Sequence, residues 1–114
     1  MDFPKRGDIW LVTLELVVGH EIGKTRPSLV ISNNRNNQFA DTVTVLPITS
    51  KTEKIYPFET YISKEETKLT KDSKVKSNQI RTLDKKRLVK FLSRISEKKL
   101  GEVEQATLVH LGIA

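Results

Sequence analysis

Three short blocks of the sequence carry side chains that could hold a phosphate group and move protons. The first contains His20, Glu21 and Arg26, the second contains Thr49, and the third covers residues 78–84. The planar guanidinium of arginine can bind two phosphate oxygens and stays charged at any working pH. A threonine hydroxyl can donate to a phosphate oxygen, and imidazole and carboxylate groups are common general acids and bases. These residue types therefore indicate phosphate chemistry.

Each of these side chains also has an ordinary structural interpretation. Arg26 could form an ion pair with Glu21, five residues earlier. A threonine at a strand end, such as Thr49, is often only a good β-former. An isolated surface histidine, such as His20, is often merely solvated. The residue types alone leave these alternatives open.

Composition restricts the kinds of site that the chain can build. The sequence has 114 residues, enough for one compact domain, which we expect to span residues 1–114. It has no cysteine, which excludes a disulfide scaffold and a thiolate metal site. No apolar run approaches the roughly 18 residues that cross a membrane. The first residues also lack the apolar stretch of a signal peptide, so the predicted compartment is the cytoplasm.

The positive charge is concentrated in one segment. The net charge is +6, but residues 68–99 alone carry 12 basic and 3 acidic side chains, a balance of +9. Residues 1–67 balance to −1 and residues 100–114 to −2. A segment this basic suits a polyanionic partner, either a nucleic acid or an acidic protein, although a solvated lysine-rich surface has the same composition.

Apolar runs and alternating patterns predict five to seven short strands and one helix. We predict strands at residues 9–14, 28–32, 42–49 and 58–62, with shorter ones at 73–77 and 89–95. Residues 15–25 and the asparagine-rich residues 33–37 read as loops. Pro47 indicates a strand end, an edge or a bulge.

The end of the chain changes period. Ser96 is a suitable N-cap, and the apolar spacing after Leu100 predicts an amphipathic helix. The predicted fold class is therefore mostly β, a small barrel or twisted sheet closed by a C-terminal helix.

Taken together and in this order, the three blocks resemble the MazF/PemK/Kid family of toxin ribonucleases. The first block reads Gly-Asp-Ile-Trp at residues 7–10, Gly-His-Glu at 19–21 and Gly-Lys-Thr-Arg-Pro at 23–27. The second reads Pro-Ile-Thr-Ser at residues 47–50, and the third reads Asn-Gln-Ile-Arg-Thr-Leu-Asp at 78–84. The resemblance covers essentially the whole chain. It implies an SH3-like β-barrel with a terminal helix, acting as a homodimer.

The resemblance also implies an activity and a set of roles. It implies an endoribonuclease that needs neither metal nor cofactor and cleaves single-stranded messenger RNA with sequence selectivity, using the 2′-hydroxyl of the substrate as nucleophile. The products would carry a 2′,3′-cyclic phosphate and a 5′-hydroxyl. Arg26 and Thr49 match the catalytic arginine and threonine of the family, and Glu21 and His20 are the acid/base candidates. The expected RNA-binding residues are Lys24, Thr25, Ser50, Lys76, Asn78, Gln79 and Arg81.

The third block departs from one branch of the family. Kid-like members use an arginine and an aspartate two residues apart, and the matching positions here hold Lys76 and Asn78. An asparagine cannot act as a general acid or base, which favours the MazF-like arrangement centred on Arg26 and Thr49. Arg81 could alternatively pair with Asp84. The cleavage sequence is expected to depend on the loops at residues 15–25 and 51–57.

Partners and rival functions follow from the same resemblance. The expected partners are single-stranded RNA and a cognate antitoxin whose acidic, partly disordered tail covers the RNA groove. One rival function is a non-enzymatic growth inhibitor, since a gyrase-poisoning toxin family shares this fold. The other is an inactive RNA-binding module, which would bind RNA in a salt-dependent way and release no product.

Overall fold

The computed structural model describes residues 2–14 and 18–114, which form an antiparallel sheet with a C-terminal helix. Seven strands follow one another as β1 (Asp8–Leu14), β2 (Lys24–Val30), β3 (Thr42–Thr49), β4 (Glu59–Ile62), β5 (Ser73–Lys76), β6 (Arg81–Asp84) and β7 (Leu88–Arg94). The α-helices are α1 (Asn34–Phe39), α2 (Lys64–Thr67) and α3 (Glu97–Leu111), and short 3-10 turns cover Ser77–Gln79 and Lys85–Arg87. The predicted fold class, mostly β with a terminal helix, is confirmed.

Strand β3 is the centre of the sheet. The strand order is β4-β5-β3-β2-β1-β7, and β6 pairs with the first half of β3. Residues 42–45 of β3 pair with β6, whereas Ile48 and Thr49 pair with β5. Pro47 lies between these two partners and opposite Ser28 of β2, so it marks the point where β3 changes partner. No pairing joins β4 to β7 in the part of the chain that the structure describes, and the barrel is open there.

Two apolar clusters form the core. One packs the sheet against α3 and contains Ile9, Leu29, Leu46, Ile48, Ile62, Val75, Ile95 and Val103. The other lies among β1, β2, β3 and β6 and contains Val12, Leu14, Val30, Val43, Val45 and Leu83. Strand β1 contributes to both clusters because its pairing with β7 shifts register between Ile9 and Trp10 and again between Leu11 and Val12.

Helix α3 confirms the predicted change of period. The side chain of Ser96 accepts a hydrogen bond from the Lys99 amide and caps the first turn, and Gly112 ends the helix with φ of +75°. The face with Val103, Ala106 and Thr107 is buried. None of the helices described is long and apolar enough to cross a membrane.

Several local predictions were wrong. Residues 33–37 are not a loop: Asn33 caps α1 by accepting from the Asn36 amide, and the buried Asn37 amide donates to the Ser32 carbonyl at 2.8 Å. The predicted loop at residues 15–25 ends earlier, since β2 begins at Lys24, while its residues 15–17 lie outside the described chain. Strand β6 and helix α2 were not predicted. Helix α1 was not predicted because asparagine is typical of loops. Here the asparagine side chains instead cap the helix and supply its buried amide.

Candidate functional site

One cleft gathers the four residues proposed from the sequence as catalytic. Its volume is about 520 Å³, and we call it the reaction cleft. It is lined by His20, Glu21, Ile22, Gly23, Arg26, Thr49, Ser50, Lys51, Glu53, Lys54, Lys74 and Lys76. The loop before β2, the end of β3, the loop after β3 and strand β5 all contribute to it.

Strands β2 and β3 bring the arginine and the threonine to one cleft. The two strands are antiparallel, and their pairing runs from Val30–Val45 to Ser28–Pro47. Arg26 lies two residues before Ser28 and Thr49 lies two residues after Pro47, so both extend beyond the same end of this pairing. Both residues line the reaction cleft. Two sequence blocks more than twenty residues apart therefore meet beside a single strand pair.

Arg26 carries an exposed guanidinium. Its Nε donates to the Gly23 carbonyl at 3.3 Å, which orients the group. No carboxylate lies within ion-pair distance of it among residues 2–14 and 18–114. The structural alternative, an ion pair with Glu21, is therefore not what the structure shows.

The loop that carries His20 and Glu21 is fixed by hydrogen bonds. Glu21 Oε1 accepts from the Val18 amide at 2.5 Å, and the Glu21 amide donates to the Val18 carbonyl at 3.2 Å. The Ile22 amide donates to Gln79 Oε1 at 3.3 Å. Gln79 thus anchors this loop to the 3-10 turn after β5 and does not line the reaction cleft.

A buried carboxylate holds two lysines at one wall of the cleft. Glu59 Oε1 accepts from Lys74 Nζ at 2.8 Å, and Glu59 Oε2 accepts from Lys76 Nζ at 2.9 Å. The Glu59 side chain is fully buried. Burial raises its pKa, but hydrogen bonds from Lys74, the Tyr56 amide and Lys76 outweigh burial and bring the pKa below its ordinary value. Lys76 is therefore a paired cation, held in place by Glu59.

Glu59 and Lys74 were not predicted as site residues. The lysines at positions 74 and 76 share a face of a predicted strand, which the alternation of β5 could have indicated. Their common partner could not be found that way, because Glu59 pairs with Lys76 through the register of β4 and β5. Lys74 Nζ also donates to the Lys54 carbonyl at 2.7 Å and so ties the loop after β3 to the sheet.

The remaining predicted RNA-binding residues lie outside the reaction cleft. Lys24 and Thr25 open β2 and are exposed, and Lys24 has a left-handed φ of +63°. Asn78 Oδ1 is buried without a hydrogen-bond partner in the described chain. Arg81 Nη2 donates to Gln79 Oε1 at 3.3 Å, and no Arg81–Asp84 ion pair occurs among the described residues. Arg81 instead lines a neighbouring cleft, of about 380 Å³, that also includes Glu21.

The reaction cleft combines a free guanidinium, a hydroxyl, and an imidazole beside a carboxylate. These groups can hold a phosphate, stabilise added negative charge on it and transfer protons. No group of three or more histidine, aspartate or glutamate side chains in the described ranges is placed to hold a metal ion.

The sequence matches a family model over residues 5–111, described as the PemK-like, MazF-like toxin of type II toxin-antitoxin systems. Endoribonuclease MazF9 of Mycobacterium tuberculosis is 36% identical over 114 aligned residues, covering 96% of this chain and 97% of the relative. The crystal structure of MazF from Deinococcus radiodurans superposes with a TM-score of 0.83 at 27% identity, covering 98% of this chain and 99% of that one. A MazE-MazF crystal structure from the same organism superposes with a TM-score of 0.77 at 27% identity, covering 97% of each chain. With nearly its whole length matched, the chain belongs to the family of PemK-like and MazF-like toxins of type II toxin-antitoxin systems.

Proposed function

We propose that this chain is the toxin of a type II toxin-antitoxin system and a sequence-selective, metal-independent endoribonuclease that cuts single-stranded messenger RNA. The observation that carries the proposal is the meeting of His20, Glu21, Arg26 and Thr49 at one cleft. Family membership and the name of the relative, an endoribonuclease, support the same activity.

The groups in the cleft suffice for transesterification at phosphorus. The 2′-oxygen of the substrate attacks the adjacent phosphorus while the bond from phosphorus to the 5′-oxygen breaks. The 2′ proton passes to a base and a second proton reaches the departing 5′-oxygen, with Glu21 and His20 as the groups that exchange them. Arg26 holds the phosphate oxygens and stabilises the added negative charge, and Thr49 donates a hydrogen bond to the same phosphate. The products are a 2′,3′-cyclic phosphate and a 5′-hydroxyl.

Partners follow from the family and the charge. The chain is proposed to act as a homodimer in the cytoplasm, where messenger RNA is available, and to be neutralised by a cognate antitoxin with an acidic tail. The MazE-MazF structure of the relative and the balance of +9 over residues 68–99 support this assembly.

The test is cleavage of a long single-stranded RNA in EDTA by the native protein and by Arg26→Ala. We expect discrete fragments from the native protein and a loss of at least about 10²-fold in rate for Arg26→Ala, since a preorganised donor to the transition state is removed. Arg35→Ala is the matched control, because Arg35 is also exposed but lies on α1, away from the cleft.

Three results would contradict the proposal. Intact RNA with native protein that still arrests growth would favour the gyrase-type inhibitor. Salt-dependent RNA binding without product would favour the inactive binding module. Normal cleavage by Arg26→Ala would remove Arg26 from the mechanism.

A further inference from the structure

A second cleft shares Arg26 with the reaction cleft. Its volume is about 430 Å³, within the range of roughly 300–1,000 Å³ typical of ligand pockets. We call it the apolar cleft, because Pro27, Ile48, Leu69 and Leu92 line it. Leu69 and Leu92 are partly buried and pack against the main core cluster, so these walls are held in place by the core.

The rest of the apolar cleft is basic and polar. Arg26, Lys68 and Lys71 line it, together with the hydroxyl residues Ser50, Thr70 and Ser73, and no carboxylate is among its lining residues. Lys68 and Lys71 are exposed and form no ion pair in the part of the chain described. The reaction cleft differs, since Glu21 and Glu53 line it. An apolar wall beside unpaired cations suits a ligand with a flat apolar body and an anionic backbone.

The two clefts share residues at their boundary. Arg26 and Ser50 line both. A phosphate bound by Arg26 would therefore lie at the boundary of the two clefts. The reaction cleft contains the acid/base groups, which leaves the apolar cleft for a base.

We propose that the apolar cleft is a base-binding subsite that receives one of the two bases flanking the scissile phosphate and thereby contributes to cleavage specificity. Lys68 and Lys71 contact the backbone phosphate beyond that base. This inference rests on the proposed function, because it takes the phosphate at Arg26 to be the scissile one.

The test measures the binding of RNA strands that the protein cannot cleave. Short RNA oligonucleotides carry the mapped cleavage site with a 2′-deoxy sugar at the scissile nucleotide. If no cleavage site is found, the salt dependence of binding is measured on a homopolymer instead. Two further oligonucleotides lack the base on the 5′ side or on the 3′ side of the scissile phosphate. We expect one of the two abasic strands to bind native protein about tenfold more weakly, because a base loses its apolar and stacking contacts.

Leu69→Ala and Leu100→Ala connect that loss to the cleft. Both leucines are partly buried against the same core cluster, but only Leu69 lines the apolar cleft. In Leu69→Ala we expect the difference between the intact and abasic strands to shrink to about threefold or less, whereas in Leu100→Ala it stays near tenfold. The position of the sensitive base, 5′ or 3′, then assigns the nucleotide that enters the cleft.

Lys71→Ala keeps the proposal testable if Leu69→Ala fails to fold. The slope of log Kd against log salt should fall by about 0.7, the value for one phosphate contact on a single strand, whereas Lys98→Ala on α3 leaves it unchanged.

Three results would overturn the subsite. Both abasic strands could bind as tightly as the intact strand, the abasic loss could be equal in Leu69→Ala and Leu100→Ala, or Lys71→Ala could leave the salt slope unchanged. Leu69→Ala could instead change the molar mass measured by light scattering and still bind the abasic strand more weakly than the intact strand. That result would assign the cleft to a second copy of the chain. A protein that lacks ribonuclease activity would contradict the proposed function, and the salt slope of Lys71→Ala on a homopolymer would still test the subsite separately.

Discussion

Arg26 and Thr49 illustrate what a residue type and its neighbours can indicate. Both were proposed from short motifs, and both line the reaction cleft. The choice between a catalytic and a structural arginine needed the structure, which shows the Arg26 guanidinium exposed and without a carboxylate partner in the described chain. Lys76 shows the limit of the same method, since its pairing with Glu59 could not be found from residue type.

We predict that the Thr49 hydroxyl contributes to the rate of cleavage. Thr49→Val keeps the β-branched shape but removes the donor to the phosphate, so the single-turnover cleavage rate should fall by about 10–10²-fold. Thr42→Val, at the exposed start of the same strand, is the control and should cleave at the native rate. Equal rates for Thr49→Val and Thr42→Val would show that Thr49 serves only the strand.

At the level of secondary structure, the β4–β5 pair positions two lysines that line the reaction cleft. Its register places Glu59 opposite Lys76, and the buried carboxylate then holds both Lys74 and Lys76. Glu59→Gln should leave these two lysines without a counter-charge, and we expect the free energy of unfolding at pH 7 to fall by about 3 kcal/mol. Glu65→Gln, on the exposed surface of α2, is the matched control and should change it little.

The pH dependence of the unfolding free energy follows from the same pair of lysines. The folded-state pKa of Glu59 lies below its unfolded value. The ionised carboxylate therefore adds to the free energy of unfolding above the unfolded pKa, and this contribution is lost as pH falls through the folded pKa. The free energy of unfolding, measured by denaturation between about pH 5 and pH 3, should therefore fall more steeply for the native chain than for Glu59→Gln. Parallel curves for the two proteins would rule out the buried carboxylate as the source of that acid sensitivity.

Elements with a clear local pattern were predictable, and those that depend on distant contacts were not. Helix α3 and strand β3 lie close to their predicted positions, because a cap, a period and a β-branched run are all local signals. Strand β6 depends on pairing with the first half of β3, a signal that its own segment does not contain. Helix α1 was missed for a different reason: its cap and the partner of the buried Asn37 amide are local, but a run of asparagines is also typical of a loop.

At the scale of the whole molecule, the mostly β fold followed from the number of short strands, but their order did not. The central position of β3, with β6 on one half and β5 on the other, joins residues about 40 positions apart.

The positive charge could be located in the sequence, but its position in the fold could not be predicted. Residues 68–99 were identified as basic, and the fold then places Lys74 and Lys76 at the reaction cleft and Lys68 and Lys71 at the apolar cleft.

We propose that this fold brings an arginine, a threonine and an acid/base pair to one phosphate, so that RNA supplies its own nucleophile. This mechanism is tested by comparing an RNA oligonucleotide that carries the mapped cleavage site with the same strand bearing a single 2′-deoxy sugar at the scissile nucleotide, both in EDTA. We predict products with a 2′,3′-cyclic phosphate and a 5′-hydroxyl from the first strand, and no cleavage at that bond in the second despite similar binding. Cleavage of the deoxy bond to give a 5′-phosphate would contradict this mechanism, because water and not the 2′-oxygen would then be the nucleophile.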